Sequence, residues 1–220
     1  MQKALGWLIY ESVYRALQMA MVLGWSMRSK GGNNLPATGP VLMVANHASY
    51  LDPIAVGIAC SRHLAYLAKK PLFDNRLWGG YLRRVNAVPI DQDGVAIEGI
   101  RNILTRLHEG WPVLVFPEGG RCGADETEPL QPGVSLLVKR VGAPIVPVGI
   151  AGTFWAWSRD AMLPTPSPLF LPPSKRNIAV VIGKPRPAET IANLPRQEML
   201  AVIHADICKC VAEARELQRK

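Results

Sequence analysis

The stretch Val-Leu-Met-Val-Ala-Asn-His-Ala-Ser-Tyr-Leu-Asp, residues 41–52, decides how the rest of this chain is interpreted. Its five apolar residues, 41–45, predict a buried strand, and the next seven residues carry His47 and Asp52. Imidazole titrates near neutral pH and can act as a general base, and a neighbouring carboxylate can orient it. Because the strand fixes where the turn begins, both side chains can be held at one edge of a sheet. The stretch therefore predicts a general base and its orienting carboxylate.

Asp52 also has a purely structural interpretation. It precedes Pro53, and an acidic residue before a proline at the first helical position is typical of a helix start. Both roles are compatible, because a helix start would hold Asp52 rigidly.

A second apolar run ends in charged and glycine residues. Residues 113–116 predict a strand, and the loop after it contains Glu118, Gly119, Gly120 and Arg121. Two glycines allow backbone N–H groups to approach a ligand closely, and arginine offers a planar fork for a phosphate. Glu118 could bind a polyol hydroxyl or hold Arg121, and the alternative is a glycine turn with a surface ion pair. Two such strand ends in one small domain predict a catalytic cleft.

Apolar runs alternate with helical patterns along the chain. Strands are predicted at 41–45, 64–68, 86–90, 112–116, 144–150 and 178–182, and helices at 51–60, 71–83, 94–109, 133–141 and 196–216. This alternation predicts a single α/β domain whose largely parallel central sheet is flanked by helices and buried on both faces. The proline-rich stretch 160–177 is predicted to be irregular, and its role stays open between a lid, a membrane-facing loop and a plain connection.

The N-terminal residues 4–28 have an apolar, helix-like composition that includes Trp7, Tyr10, Tyr14 and Trp25. The segment is uncharged only between residues 16 and 27, short of the roughly 20 residues needed to cross a bilayer. We interpret residues 1–30 as an amphipathic membrane-associated helix, followed by an enzymatic domain at 31–220. The alternative is an ordinary helix packed on the domain.

Composition narrows the class of protein. The chain has 220 residues, 49% of them hydrophobic and 19% charged, with a net charge of +8. The charge suits phosphate-bearing partners, but the cations are scattered and no nucleic-acid-binding motif is present, so nucleic acid is not an expected partner. The four cysteines have neither zinc-site nor disulfide spacing, which favours a reducing compartment. No Gly-x-Ser-x-Gly elbow, P-loop or dinucleotide fingerprint is present.

The order of these blocks resembles the glycerolipid acyltransferase superfamily, whose members are 1-acylglycerol-3-phosphate O-acyltransferase-like. Residues 46–52 match its first signature, and 116–122 resemble its Phe-Pro-Glu-Gly-Thr-Arg-Ser block. Residues 146–150 look like its fourth block, and 85–91 lie where the second block should be. The resemblance covers about residues 36–155.

The resemblance implies roles for individual residues. His47 would deprotonate the acceptor hydroxyl, which attacks the thioester of acyl-CoA or acyl-acyl carrier protein, and Asp52 would orient His47. Glu118, the two glycines after it and Arg121 would bind the phosphate-bearing acceptor. Acyl-CoA or acyl carrier protein would be the acyl-donor partner, and neither an acyl-enzyme, a metal nor a cofactor is expected.

Three positions depart from the family pattern. Gln92 stands where the second block usually has arginine, and Arg83 or Arg84 could replace that cation. Gly120 replaces the usual threonine and Cys122 the usual serine. These departures weaken the assignment of the acceptor and leave the histidine–aspartate chemistry untouched.

The sequence thus favours an acyltransferase that acylates the free hydroxyl of 1-acylglycerol 3-phosphate to give phosphatidic acid. One alternative keeps the chemistry with another acceptor, such as glycerol 3-phosphate, a lyso-ornithine lipid or another lysolipid. A further alternative is a non-catalytic lipid-binding protein. Membrane lipids are expected partners, with a peripheral or monotopic location on the cytoplasmic face of the cell membrane.

Overall fold

A seven-stranded sheet forms the centre of the protein. The structure is a computed structural model that describes residues 2–84, 87–90, 96–123, 127–158 and 160–220. Within those ranges the strands are β1 (Arg28–Lys30), β2 (Val41–Ala45), β3 (Ala65–Lys69), β4 (Ala87–Ile90), β5 (Pro112–Val115), β6 (Ile145–Ala151) and β7 (Ala179–Ile182). Their order across the sheet is β1-β7-β6-β2-β5-β3-β4. Strands β2 to β6 run parallel to one another, and β7 is antiparallel to β6 with β1 parallel to β7.

Helices cover both faces of this sheet. They are α1 (Gln2–Trp25), α2 (Asp52–Ala59), α3 (Arg76–Arg84), α4 (Ala96–His108), α5 (Gly133–Val141), α6 (Thr153–Ala156), α7 (Glu189–Ala192) and α8 (Arg196–Gln218). Short 3₁₀ turns lie at Gly32–Asn34 and Lys70–Phe73. None of the helices in the described part of the chain is long and apolar enough to cross a membrane.

Successive side chains of β2 point to opposite faces of the sheet and belong to two separate parts of the hydrophobic core. Met43 packs on one face with residues of α1 and α2, including Met21 and Val56. Leu42 and Val44 point to the other face, where they meet α4, α5 and α8. All five residues of β2 are buried, because the strand lies in the middle of the sheet with helices on both sides.

The predicted α/β class, the largely parallel sheet and the N-terminal helix are confirmed, with local differences. The helix predicted over 4–28 ends at Trp25, and Arg28–Lys30 forms an edge strand that we did not predict. The helix predicted at 71–83 is a 3₁₀ turn followed by α3. Two four-residue helices, α6 and α7, were also missed, because so short a segment has no readable helical period.

One edge of the sheet collects the segments singled out in the sequence. Strands β2 and β5 are neighbours in parallel register, with Val44 opposite Val115, so their carboxyl ends lie side by side. The carboxyl ends of β6, β3 and β4 face the same way. In parallel α/β sheets, ligands bind beyond these strand ends. We call this side the working edge.

Candidate active site

His47 and Asp52 are in contact at the end of β2. The His47 Nδ1 atom lies 2.8 Å from Asp52 Oδ2. Asp52 is fully buried, whereas a fifth of the His47 side chain is exposed. With the carboxylate accepting from Nδ1–H, the lone pair belongs to Nε2. This arrangement supplies a base whose tautomer is set by a buried acid.

The Asp52 carboxylate is anchored by the turn that precedes its helix. Its Oδ2 atom accepts hydrogen bonds from the backbone N–H groups of Ala48, at 2.6 Å, and Ser49, at 2.7 Å. Asp52 is the first residue of α2, with Pro53 next, so the helix start does position it. At the start of α2, no side chain of the described residues caps the first turn of the helix with a hydrogen bond. The carboxylate therefore organises the His47 turn rather than capping the helix.

Phe116 fixes the plane of the imidazole. The two rings are stacked, with centroids 4.0 Å apart and planes inclined by 20°. Phe116 directly follows β5, so the neighbouring strand supplies the surface against which His47 rests. Together with the Asp52 contact, stacking restricts rotation of the ring about both of its side-chain bonds.

Glu118 joins the two strand-end loops. Its Oε2 atom accepts a hydrogen bond of 2.8 Å from the backbone N–H of His47, and the Cys122 N–H donates to the His47 carbonyl at the same distance. Glu118 is buried, and burial raises the pKa of its carboxyl against the opposing effect of its hydrogen bonds. The described hydrogen bonds of the Glu118 side chain thus lie within the two loops, with His47 and Cys122, and the alternative of a glycine turn with a surface ion pair stays open.

Cys122 is buried beside Glu118. Burial, followed by the nearby Glu118 carboxylate, raises the pKa of its thiol to about 12. A thiol must ionise to act as a nucleophile, so Cys122 stays protonated and inert at neutral pH.

The two glycines of the second loop differ. Gly119 has a φ of +78°, and a Cβ there would lie 2.9 Å from Cγ of Gln131. Gln131 donates its side-chain N–H to the Glu118 carbonyl and its backbone N–H to the Pro117 carbonyl, which closes the loop. Gly120 has open space around its Cα. Glycine is required by the backbone at position 119 only.

Arg121 reaches across to the His47 loop. Its guanidinium carbon lies 3.8 Å from the ring centroid of Tyr50, within cation–π distance. Its Nη1 atom is buried and has no hydrogen-bond partner among the residues that the structure describes. A buried, unpartnered guanidinium nitrogen costs free energy unless an acceptor is supplied, so this nitrogen is suited to an anionic ligand.

The structure adds residues that sequence analysis did not assign to the site. Asn46 pairs its side chain with both backbone groups of Ile150 on β6, at 3.0 and 2.8 Å. The hydroxyl of Ser49, which is fully buried, donates to the Trp157 carbonyl at 2.8 Å. Asn46 and Ser49 lie inside the first motif, so position was a signal for them, but their partners are distant in sequence. Phe116 and Tyr50 also lie inside the two motifs, but no pattern in the sequence indicated their ring contacts.

The remaining predicted residues are less closely joined to the site. The Arg83 guanidinium is exposed and lies 5.5 Å from the ring centroid of Phe73, and no contact with His47 or Arg121 is described for it. The side chain of Arg84 and the whole of Gln92 lie outside the described residues. Strand β4, which lies within the second block, ends at Ile90, so the carboxyl end of that strand lies on the working edge. Whether Arg83 or Arg84 replaces the missing arginine stays a prediction.

Known proteins are similar to this chain in sequence and in fold. The sequence profile of the family named Acyltransferase matches residues 26–151. A 1-acyl-sn-glycerol-3-phosphate acyltransferase of Bacillus subtilis is 28% identical over 196 residues, covering 89% of this chain and 91% of the relative. The enzyme of the same name from Streptococcus pneumoniae is 30% identical over 115 residues, which are 50% of this chain and 41% of that one.

A solved structure has the same architecture. The crystal structure of the 1-acyl-sn-glycerophosphate (LPA) acyltransferase from Thermotoga maritima superposes with a TM-score of 0.77 at 19% identity, over 100% of this chain and 84% of that one. At that identity the likeness shows the fold alone, and the family profile carries the relationship. The chain belongs to the acyltransferase family and is an O-acyltransferase enzyme.

Proposed function

We propose that this enzyme transfers a fatty acyl group from acyl-CoA or acyl-acyl carrier protein to the free hydroxyl of 1-acylglycerol 3-phosphate, forming phosphatidic acid. The observation that carries the proposal is the combination of two features in one loop cluster: an Asp52-oriented imidazole and, beyond Tyr50, the unpartnered Nη1 of Arg121. The names of the relatives from Bacillus subtilis and Streptococcus pneumoniae support the same acceptor. Because the chain is an enzyme, the hypothesis of a non-catalytic lipid-binding protein is set aside.

The chemistry follows from the orientation of His47. Its Nε2 takes the proton of the acceptor hydroxyl as the oxygen attacks the thioester carbonyl carbon. A C–O bond forms and the C–S bond breaks. The leaving thiolate takes the proton from the imidazolium, so His47 returns to its neutral form. Asp52 stabilises the imidazolium in between. No acyl-enzyme, metal or cofactor enters this scheme.

Arg121 is proposed to hold the phosphate of the acceptor. A phosphate oxygen would satisfy the buried Nη1 atom, and such charge-assisted bonds contribute about 1.5–3 kcal/mol. Stacking on Tyr50 keeps the guanidinium in place before substrate arrives. Glu118, which contacts the His47 backbone, is proposed to bind the acceptor only indirectly, by fixing the loop that carries Gly119, Gly120 and Arg121.

Helix α1 is proposed to bring the enzyme to membrane lipids, at the cytoplasmic face where its thioester donors are found. It packs on the domain through buried Met21 and through Tyr14, whose hydroxyl donates to the Gly57 carbonyl at 3.2 Å. Met19 and Leu23 on the same helix are exposed. The helix thus combines a packed face with an apolar exposed one, which supports a peripheral or monotopic attachment.

A second acceptor is favoured by one observation. Gln92 stands where related sequences have a phosphate-binding arginine, so a smaller or less charged headgroup remains a candidate. Glycerol 3-phosphate and a lyso-ornithine lipid are the alternatives to test beside 1-acylglycerol 3-phosphate.

The deciding experiment is acyl transfer from labelled acyl-CoA and acyl-acyl carrier protein to each of the three acceptors. We expect His47→Ala to lower the rate by about 10²–10⁴-fold, the contribution of a general base. His108→Ala is the matched control, since His108 is exposed at the end of α4 and should leave the rate unchanged. Wild-type turnover by His47→Ala would overturn the mechanism. Transfer to glycerol 3-phosphate or the lyso-ornithine lipid alone would replace the proposed acceptor.

A further inference from the structure

We propose that the proline-rich segment 160–177 is a second membrane-contacting element, which inserts apolar side chains into an anionic bilayer beside α1. Five large apolar residues of this segment are exposed: Met162, Leu163, Leu169, Phe170 and Leu171. Met162 is 92% exposed and Phe170 86%, values close to those of an unfolded chain. Exposed apolar clusters of this kind mark interaction sites, because leaving them in water is unfavourable.

The segment is fixed to the end of α1 and is not a free lid. The indole N–H of Trp25 donates to the Thr165 carbonyl at 2.9 Å. The backbone N–H of Ser167 donates to the Gly24 carbonyl at 2.7 Å, and that of Leu169 to the Leu23 carbonyl at 3.1 Å. Leu169 and Leu23, both exposed, are therefore joined through their backbones, which places exposed apolar residues of α1 and of the segment next to each other.

Buried polar contacts hold the segment in shape. The Ser26 hydroxyl donates to the Ser167 carbonyl at 2.9 Å, and the Ser167 hydroxyl donates to Asn177 Oδ1 at 2.6 Å. Ser26, Ser167 and Asn177 are all buried. The apolar tips are thus displayed on a preorganised base, which lowers the entropy cost of binding a surface.

The segment lies at the working edge of the sheet. It leaves the carboxyl end of β6 through α6 and returns into the start of β7, which is antiparallel to β6. Trp157, just before the segment, accepts the Ser49 hydroxyl bond and donates its indole N–H to the Ala161 carbonyl at 3.0 Å. Inserting the apolar tips would therefore bring the loop that carries Ser49 and His47 towards the lipid surface.

Nearby positive charge indicates that the apolar side chains of this segment bind anionic lipid rather than an apolar groove of a partner protein. Lys175 and Arg176, four and five residues after the last apolar tip, are exposed, and Lys175 Nζ lies 5.1 Å from the ring centroid of Trp155. Apolar tips flanked by cations and an amphipathic aromatic are the arrangement that binds at the headgroup level. The net charge of +8 acts in the same direction.

The test is partitioning of the full chain onto vesicles of phosphatidylcholine with or without phosphatidylglycerol. Met162→Gln/Phe170→Gln changes the two most exposed tips, and Leu136→Gln is the control, since Leu136 is 38% exposed on α5, on the opposite face of the sheet. We expect the double variant to bind phosphatidylglycerol vesicles at least about tenfold more weakly, as expected when two apolar side chains leave the bilayer. The control should bind like wild type.

A second measurement does not depend on loss of binding. Phe170→Trp should gain quenching by brominated lipids beyond that of wild type, and Leu136→Trp should not. Each of four results would overturn the proposal. They are unchanged partitioning of the double variant, an equal loss in Leu136→Gln, a change in oligomeric state instead of partitioning, and no added quenching. The inference adds to the proposed function, and partitioning needs no turnover, so failure of either is seen separately.

Discussion

The two loops that meet at the working edge are built differently. In the loop after β2, one Asp52 oxygen accepts three hydrogen bonds and His47 is held by an acid on one side and an aromatic ring on its face. In the loop after β5, Arg121 rests on Tyr50, and its buried Nη1 has no hydrogen-bond partner among the described residues. The other Asp52 oxygen, Oδ1, is buried without a described partner too, but it belongs to a carboxylate already fixed by three bonds. The difference separates a preorganised base, which must not move, from a binding group that waits for its ligand.

The largest effect should come from breaking the preorganised loop. Asp52→Asn keeps the shape but lets an amide face Nδ1, so the imidazole can adopt the wrong tautomer and the backbone N–H groups of Ala48 and Ser49 lose a charged acceptor. We expect kcat to fall by about 10³–10⁴-fold. Steady-state kinetics measure this change, and circular dichroism checks folding. A folded variant with more than a tenth of the wild-type kcat would show that Asp52 does not set the tautomer.

Removing the Arg121 guanidinium should weaken binding of the acceptor more than it slows the chemical step. Arg121→Ala is expected to raise KM for 1-acylglycerol 3-phosphate by about 10–100-fold, the worth of one charge-assisted bond, with a smaller change in kcat. Arg140→Ala is the matched control, because it removes the same charge from an exposed site on α5. An equal KM shift in both variants would reduce the role of Arg121 to general charge.

Gly119 and Gly120 allow the stability effects of substitution to be compared at two positions of one loop. Gly119→Ala forces a side chain into a positive-φ position against Gln131 and should cost about 1–2 kcal/mol, seen as a lower Tm. Gly120→Thr, the residue usual in related sequences, meets open space and should change stability by less than about 0.5 kcal/mol. Similar losses in both would show that the loop needs glycine for another reason.

Substitution of Glu118 should have a small, pH-dependent effect on the stability of the fold. Because burial raises its pKa in the folded protein, the folded state holds the proton more tightly than the unfolded state, and stability from this group falls as pH rises through the folded pKa. Glu118→Gln removes that loss. The Tm difference between variant and wild type should therefore shift in favour of the variant from pH 5 to pH 8. A pH-independent difference would mean that Glu118 ionises as freely in the folded protein as in the unfolded chain.

Elements with a local apolar pattern were predicted correctly from the sequence, whereas elements that are short or polar were missed. The apolar runs of β2, β5 and β6 and the period of α4 and α8 were readable because burial imposes a repeat on the sequence. Strand β1 has only three residues, two of them charged, and it exists because β7 offers a free edge. The segment 160–177 was correctly expected to be irregular, but its attachment to α1 was not readable.

The sequence by itself determined the strand ends, the spacing that lets Asp52 fold back on His47, and the family to which the chain belongs. These depend on neighbours within a few residues or on a whole-motif likeness. Tertiary structure alone decided the Glu118 bond to His47, 71 residues apart, and the Asn46 pairing with Ile150, 104 residues apart. It also placed the apolar tips of 160–177 beside α1. Such contacts depend on which strands become neighbours in the sheet, and no local period in the sequence encodes that order.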